Sequence, residues 1–240
     1  QRTAELHMTL ASIPDDPDFA PEPFSVTYQK SVYHSMRSLT GQTFELLQQS
    51  LNDLPDEAKE EAQKVLNLQG DIIERFQPLR GRKVNAARIR CHGDYHLGQV
   101  LYTGRDFVII DFEGEPARPL RERRLKRSPL RDIAGMVRSF DYAAHSAALL
   151  YSASAASPQD FLLLERWGRF WYTWVSAVFL AAYLEKIKSA QLLPQNPADV
   201  SILLNAYLLE KAVYEIGYEL NNRPAWLRVP LRGILQLLEK

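Results

Sequence analysis

The chain has 240 residues with 29 basic and 29 acidic side chains, so it lacks the basic excess typical of nucleic-acid-binding proteins. Its single cysteine excludes an internal disulfide and favours a reducing compartment, so we predict a cytoplasmic protein. The longest uncharged apolar run, 170–184, is shorter than the roughly 20 residues that span a bilayer. We therefore expect no nucleic-acid partner and no membrane partner.

Apolar residues at helical spacing dominate most of the chain. Residues 1–10 predict the end of a helix, and residues 28–50 predict a second helix with a break near Gly41. A third is expected to begin at Pro55, where proline and acidic residues favour a first turn, and to run to about Phe76. Later helices are predicted over 129–151, 159–188, 197–221 and 231–240. An aromatic stripe at helical spacing predicts a core face formed by Trp167, Phe170, Trp171, Trp174 and Phe179.

The pattern changes between these helices. Short apolar, β-branched segments at 87–91, 100–103 and 107–110 are typical of strands. Gly104 and Arg105 lie between the last two segments and predict a hairpin turn. A small β-hairpin among many helices indicates an α+β fold, mainly α, and we predict a single domain over 1–240.

The segment 91–99, CHGDYHLGQ, carries the pattern that predicts chemistry. Asp94 and Gln99 have the separation of the base and the metal-binding amide in the kinase pattern H-R-D-x-x-x-x-N. Asp111, followed by Phe and Glu, stands where that pattern has D-F-G. Asp94 is predicted to take the proton of the attacking sugar hydroxyl. Asp111 is predicted to bind Mg²⁺ on the phosphates of ATP, with Gln99 as a second ligand.

Four neighbours are expected to support these groups. His92 is predicted to orient the loop and is assigned with Asp94 to the catalytic set. Gly93 permits a tight backbone turn. His96 is left open between packing and the site. Asp132 lies in a helix opening and is expected to accept backbone N–H bonds from the loop.

The hairpin imposes a geometric condition on the metal site. With a two-residue turn, Gln99 lies opposite Ile110 and Asp111 falls on the other face of the hairpin. A three-residue connection instead pairs Gln99 with Asp111. The metal hypothesis therefore requires an odd connection, a bulge, or strands that end before these residues.

Two features leave alternatives open. His92, Asp94 and His96 alternate as metal ligands on one strand face do, which suggests a metal-dependent hydrolase as a rival function. The basic segment 118–131 contains seven Arg or Lys residues. It is interpreted either as a solvated loop that offsets the acidic site or as a contact for phosphate groups.

Three segments together resemble the bacterial maltokinases, which are often fused to the C-terminus of trehalose synthase and have a fold similar to aminoglycoside phosphotransferases. The segments are HGDYHLGQVL at 92–101, IIDFEGEP at 109–116 and SPLRDIAGM at 128–136. The resemblance implies a protein-kinase-like fold and ATP-dependent phosphorylation of maltose to maltose 1-phosphate. By motif match it implies Asp94 as the base, Gln99 and Asp111 as Mg²⁺ ligands, and Glu113 as a neighbour of the metal or sugar.

The chain departs from that family in two respects. It has no G-x-G-x-x-G loop and no strand-borne V-A-I-K-like lysine before the catalytic loop. We therefore expect a C-terminal catalytic lobe whose nucleotide-binding lobe lies outside this sequence and which is weakly active alone. The alternative is a degenerate kinase-like module that stabilises or regulates an attached trehalose synthase domain.

Overall fold

The computed structural model describes residues 1–116, 118–152 and 158–239, and α-helices make up most of them. In chain order the α-helices are α1 (Arg2–Leu10), α2 (Val26–Ser50), α3 (Asp56–Asn67), α4 (Gln69–Phe76), α5 (Pro78–Gly81), α6 (Leu120–Arg123), α7 (Leu130–Ser152), α8 (Pro158–Ile187), α9 (Pro197–Asn222) and α10 (Arg228–Leu238). The strands are β1 (Glu22–Pro23), β2 (Ala87–Arg88), β3 (Val100–Tyr102) and β4 (Phe107–Ile109). Short 3₁₀ helices lie at Leu51–Asp53, Leu97–Gln99, Lys188–Ala190 and Pro224–Trp226.

Contacts divide the chain into two compact units, each formed from two separate segments. One unit comprises residues 1–23 and 86–195, and the other comprises 24–85 and 196–240. The first unit contains every residue predicted for the site. A single domain over 1–240 stays a prediction.

The first unit is built on α7 and α8, which pack together, with α1 packed on α8. Helix α7 starts directly after Pro129 and buries Leu130, Ile133, Ala134 and Val137, which recur at the spacing of one helical face. Strand β1 pairs with β2, and β3 pairs with β4 in an antiparallel hairpin. The hairpin packs through Val100 and Ile109 against a small core of Tyr95, Met136 and Phe140.

The second unit is helical. Helix α2 packs along α9, and α10 packs on both α9 and α3. Side-chain caps begin the two long helices: Ser25 Oγ accepts the N–H of Tyr28 at 3.2 Å, and Asn196 Oδ1 accepts the N–H of Ala198 at 3.0 Å. Pro197 then occupies the first turn of α9, where its missing N–H costs no hydrogen bond.

Most helix predictions are confirmed, with differences at three places. The break near Gly41 is wrong, because Gly41 lies inside the continuous helix α2 and packing on α9 outweighs the weak helix propensity of glycine. The helix predicted from Pro55 to Phe76 is interrupted at Leu68 and forms α3 and α4. The last helix begins at Arg228, earlier than predicted.

The prediction that the aromatic stripe of α8 is core is wrong for most of its members. Trp167 is 59% exposed and Trp174 is 58% exposed, and Phe170 and Trp171 are exposed as well. Phe179, the remaining member of the stripe, packs with the neighbouring Val175 against the core of Tyr95, Met136 and Phe140. None of the helices in the described residues combines the length and apolar character needed to cross a membrane.

Candidate active site

The predicted catalytic loop follows Ile89 and ends in the 3₁₀ turn Leu97–Gln99, directly before β3. Gly93 has a φ of +90°, a conformation that side chains rarely adopt. A Cβ at Gly93 would lie 3.2 Å from the Cα of Gly114, which itself has a φ of +77°. The loop and the segment after the Asp-Phe-Glu motif therefore approach each other through glycine backbone.

His92 links the two halves of the site. Its side chain is buried, and its Nε2–H donates to the carbonyl of Ile110 at 2.8 Å. The ring centroid lies 5.3 Å from that of Tyr95 and 5.1 Å from that of Phe112. The geometry suits the predicted role of orienting the loop, because the ring ties the residue before Asp111 to the loop that carries Asp94.

Asp132 holds the loop 91–99 by accepting hydrogen bonds from backbone N–H groups of that loop. Its Oδ2 accepts the N–H of His92 at 2.8 Å, and its Oδ1 accepts the N–H of Gly93 at 3.0 Å. These are the backbone N–H bonds expected of Asp132. Burial acts to raise the pKa of this carboxyl, but the hydrogen bond from His7 and those from the two N–H groups outweigh it and hold the pKa below its ordinary value.

Two residues of α1 that the sequence analysis did not assign also reach the site. His7 Nε2 lies 3.1 Å from Asp132 Oδ2, and its Nδ1 lies 2.9 Å from the hydroxyl of Tyr183. Thr3 Oγ1 lies 2.8 Å from the hydroxyl of Tyr95. The sequence gives only a weak signal for these two residues. They are polar and lie four positions apart in a helix whose leucines predict a different buried face.

The geometric condition on the metal site is met because the strands of the hairpin end before Gln99 and Asp111. Val100 pairs with Ile109, so the register places Gln99 opposite Ile110, and the Ile110 N–H donates to the Gln99 carbonyl at 3.0 Å. The strands end there, and Asp111 adopts a left-handed φ of 63°. That turn brings the Gln99 Nε2–H within 2.9 Å of Asp111 Oδ2. The two predicted metal ligands are therefore adjacent.

Asp94 lies beside His96. The Asp94 side chain is 18% exposed, and its Oδ2 lies 3.8 Å from His96 Nε2, which is too far for a direct hydrogen bond. His96 Nδ1 accepts the N–H of Gly98 at 3.0 Å and so caps the 3₁₀ turn. A neutral His96 thus carries its proton on Nε2, facing Asp94. His96 serves the loop by capping and lies at the edge of the site.

The paired residues suit a magnesium ion whose remaining ligands come from a nucleotide. Mg²⁺ prefers oxygen ligands and is commonly held by one or two carboxylates plus phosphates. Asp111 would supply a carboxylate oxygen and Gln99 its amide oxygen, while the Gln99 Nε2–H donates to Asp111 Oδ2. Glu113 is exposed two residues after Asp111. Its predicted place near the metal or sugar stays a prediction.

The hydrolase alternative lacks its ligand cluster. Within residues 1–116, 118–152 and 158–239, no group of three or more His, Cys, Asp or Glu side chains is placed to hold a metal ion. His92 Nε2 is committed to the Ile110 carbonyl, and His96 Nδ1 is committed to the Gly98 N–H. The alternation of His92, Asp94 and His96 in the sequence therefore does not converge on one ion.

The basic segment 118–131 is partly structural. Lys126 is buried, donates to the carbonyl of Pro17 and lies 3.1 Å from Glu22 Oε1. Arg123 donates to the carbonyls of Arg118 and Pro116, each at 2.8 Å. At these two positions the solvated-loop interpretation is wrong, because the side chains hold backbone carbonyls.

Gly135 offers a test of how α7 fixes the loop. A Cβ at this position would lie 2.6 Å from the carbonyl oxygen of Tyr95, a contact that only backbone movement relieves. We expect Gly135→Ala to shift the loop beside Asp94 and to lower turnover at this candidate site by roughly 10²-fold, as small misplacements do. Steady-state kinetics measure the effect. The matched control is Gly41→Ala, whose Cβ meets no atom within 4 Å, and a similar loss in both variants would contradict the contact.

The chain is similar in sequence to two curated glucosamine kinases, and no protein-family model matches it. It is 31% identical over 151 residues to the enzyme of Mycolicibacterium smegmatis, covering 62% of this chain and 34% of that protein. It is 25% identical over 171 residues to the enzyme of Streptacidiphilus jiangxiensis, covering 70% of this chain and 35% of that protein. The matched segment thus spans about a third of each relative's length.

Solved structures share the fold over nearly the whole chain. A glucosamine kinase in complex with glucosamine, ADP and inorganic phosphate matches with a TM-score of 0.74 and 21% identity, covering 98% of this chain and 52% of that chain. Crystal form A of a glucosamine kinase matches with a TM-score of 0.75 and 21% identity, covering 98% and 51%. The mainly helical fold is therefore that of a sugar kinase structure, while the assignment to a C-terminal lobe stays a prediction.

Proposed function

We propose that the chain is the catalytic lobe of an ATP-dependent sugar kinase. The observation that carries the proposal is the contact of Gln99 with Asp111 at 2.9 Å, which joins the two predicted metal ligands at the end of the hairpin. His92 ties this end of the hairpin to the loop bearing Asp94. The similarity to glucosamine kinases, one of them solved with ADP, supports the same reaction class.

The residues divide the reaction between them. Asp94 accepts the proton of the sugar hydroxyl as its oxygen attacks the γ-phosphorus of ATP, and the bond from that phosphorus to the bridging oxygen breaks to release ADP. Asp111 and Gln99 would hold Mg²⁺, which would neutralise the charge on the phosphates. Asp132 and His92 keep the base and the metal ligands in register, and positioning supplies much of the catalysis in phosphoryl transfer.

The acceptor is proposed to be a sugar, with two candidates. Glucosamine is favoured because both curated relatives are glucosamine kinases. Maltose is favoured by the resemblance of 92–101, 109–116 and 128–136 to the maltokinases. The proposal of a trehalose synthase domain in the same protein is supported by that resemblance alone. We place glucosamine first, because the relatives match over longer segments than the three motifs.

The nucleotide-binding lobe is proposed to lie outside these 240 residues. The chain spans about half of the solved kinases it matches, which leaves room in such a protein for a second lobe. In this proposal both lobes contact ATP, and this chain supplies the metal ligands and the base. The isolated chain is expected to bind ATP weakly and to phosphorylate sugar slowly.

A substrate panel tests the proposal. ADP release is measured with Mg²⁺ and ATP for the native protein that contains this chain, with glucosamine, maltose or glucose as acceptor. We expect sugar-dependent ADP release with the highest kcat/KM for glucosamine. A higher kcat/KM for maltose would make maltose the acceptor, and the protein would still be a sugar kinase. ADP release that no sugar stimulates would contradict a sugar kinase and favour a degenerate module.

A further inference from the structure

We propose that α1 is a positioning element for the base, in which Thr3 and His7 fix the catalytic loop on either side of Asp94. This inference rests on the proposed function. The two residues lie one helical turn apart on α1, and both are buried. His7 acts on residues 92 and 93 through Asp132, and Thr3 acts on residue 95. Asp94 is the residue between these points.

The contact through His7 places a proton on its Nε2. The pKa of the Asp132 carboxyl is held below its ordinary value, so Oδ2 accepts and the His7 Nε2–H donates to it at 3.1 Å. His7 Nδ1 lies 2.9 Å from the hydroxyl of Tyr183, which holds the other side of the ring on α8. Asp132 accepts in turn from the N–H groups of His92 and Gly93. His7 thus sets the orientation of the carboxylate that holds the loop.

The contact through Thr3 holds the other side of the base. Thr3 Oγ1 and the Tyr95 hydroxyl lie 2.8 Å apart, and both side chains are buried. Tyr95 directly follows Asp94, and its carbonyl lies against Gly135 of α7. The residue after Asp94 is therefore held by Thr3 of α1 at its side chain and lies against α7 at its carbonyl.

The identity of the buried residues on α1 indicates that this helix positions the loop and does not serve packing alone. The buried side chains of this helix are Thr3, Ala4 and His7, while Leu6 and Leu10 are only half-buried. Burying a polar side chain costs free energy unless it is hydrogen-bonded, so a helix held by packing alone would bury its leucines instead. Each buried polar residue of α1 makes a hydrogen bond to the loop or to Asp132, and His7 makes a second one with Tyr183 of α8.

Substitutions at His7 test the proposal in the native protein. His7→Leu removes the donor to Asp132 at similar volume, and we expect kcat to fall roughly 10²-fold, with the KM for ATP and for sugar little changed. His7→Gln restores an N–H near the position of Nε2 and is expected to recover most of kcat. Leu6→Ala is the control, since it weakens the packing of α1 without touching either hydrogen bond. Equal losses in His7→Gln and His7→Leu, or in Leu6→Ala and His7→Leu, would overturn the proposal.

A second pair keeps the test decisive if His7→Leu fails to fold. Thr3→Val removes only the hydroxyl, and Thr3→Ser keeps it. We expect Thr3→Val to lower kcat about tenfold, the equivalent of one hydrogen bond of ordinary strength, and Thr3→Ser to recover most of it. Equal kcat in Thr3→Val and wild type would contradict the role of Thr3.

Amide hydrogen exchange separates failure of this inference from failure of the proposed function. In the 240-residue chain, His7→Leu or Thr3→Val is expected to speed exchange of the amides at 92–95 about tenfold and to leave those in the middle of α9 unchanged. Such a result in a protein without sugar kinase activity would support the positioning of the loop and reject the function. Unchanged exchange at 92–95 would overturn the positioning, whatever the activity.

Discussion

Asp94→Asn is expected to lower the kcat of sugar phosphorylation by about 10²- to 10⁴-fold, the range that a positioned proton acceptor contributes. The amide fills the same space but does not take the proton of the attacking hydroxyl. Asp132 still holds the N–H of the preceding Gly93, so the loop is expected to keep its conformation. The KM for ATP is expected to change little, because Asp94 acts on the acceptor. Steady-state kinetics with the native protein measure both constants.

The matched control for this variant is Asp15→Asn. Asp15 is exposed in the proline-rich segment before β1, and the same change of charge there is expected to leave kcat unaltered. Thermal unfolding of both variants should resemble that of the wild type. An Asp94→Asn variant that retains most of the wild-type kcat would remove Asp94 from the mechanism.

Asp132→Asn is expected to damage both folding and activity. The carboxylate accepts hydrogen bonds from His7, His92 and Gly93, and an amide has one oxygen to offer them. At least one buried donor is left without an acceptor, so we expect the free energy of unfolding to fall by about 2–3 kcal/mol and kcat to fall with it. Chemical denaturation measures the first effect. A change below about 0.5 kcal/mol, as is usual for surface substitutions, would show that the carboxylate does not hold the loop.

The pH dependence of this effect has a defined sign. The pKa of Asp132 is lowered in the folded protein, against burial, by His7 and the two loop N–H groups. Its charge therefore contributes stability that is present above the ordinary aspartate pKa of about 4 and is lost as pH falls through the lower pKa of the folded state. The stability gap between wild type and Asp132→Asn should be widest above about pH 5 and should narrow below pH 4. A gap that widens in acid would contradict this assignment.

Much of the fold and of the site was predictable from local patterns. Helix α7 is predictable because its apolar residues recur at one face and Pro129 marks its start. The tight turn of the loop 91–99 was predictable because Gly93 permits the positive φ that it adopts, whereas the catalytic roles of Asp94 and Gln99 stay predictions. Such signals come from residues close together in the chain.

Features that depend on distant contacts were not predictable in this way. His7 lies 125 positions before its partner Asp132, so no local pattern joins them. The left-handed turn at Asp111 decides whether the metal ligands meet, and hairpin register alone left three routes open. The stripe at Trp167 and Trp174 has the spacing of a core face, but spacing cannot tell which face of a helix its neighbours cover.

Phosphorus NMR tests most directly whether the γ-phosphoryl group of ATP is transferred to a sugar. The native protein is incubated with ATP, Mg²⁺ and glucosamine or maltose, and the phosphorus products are followed with time. We expect a sugar phosphate resonance to grow in step with ADP and to be absent with Asp94→Asn. ADP and inorganic phosphate as the only products, formed at the same rate with or without sugar, would contradict sugar phosphorylation by this protein.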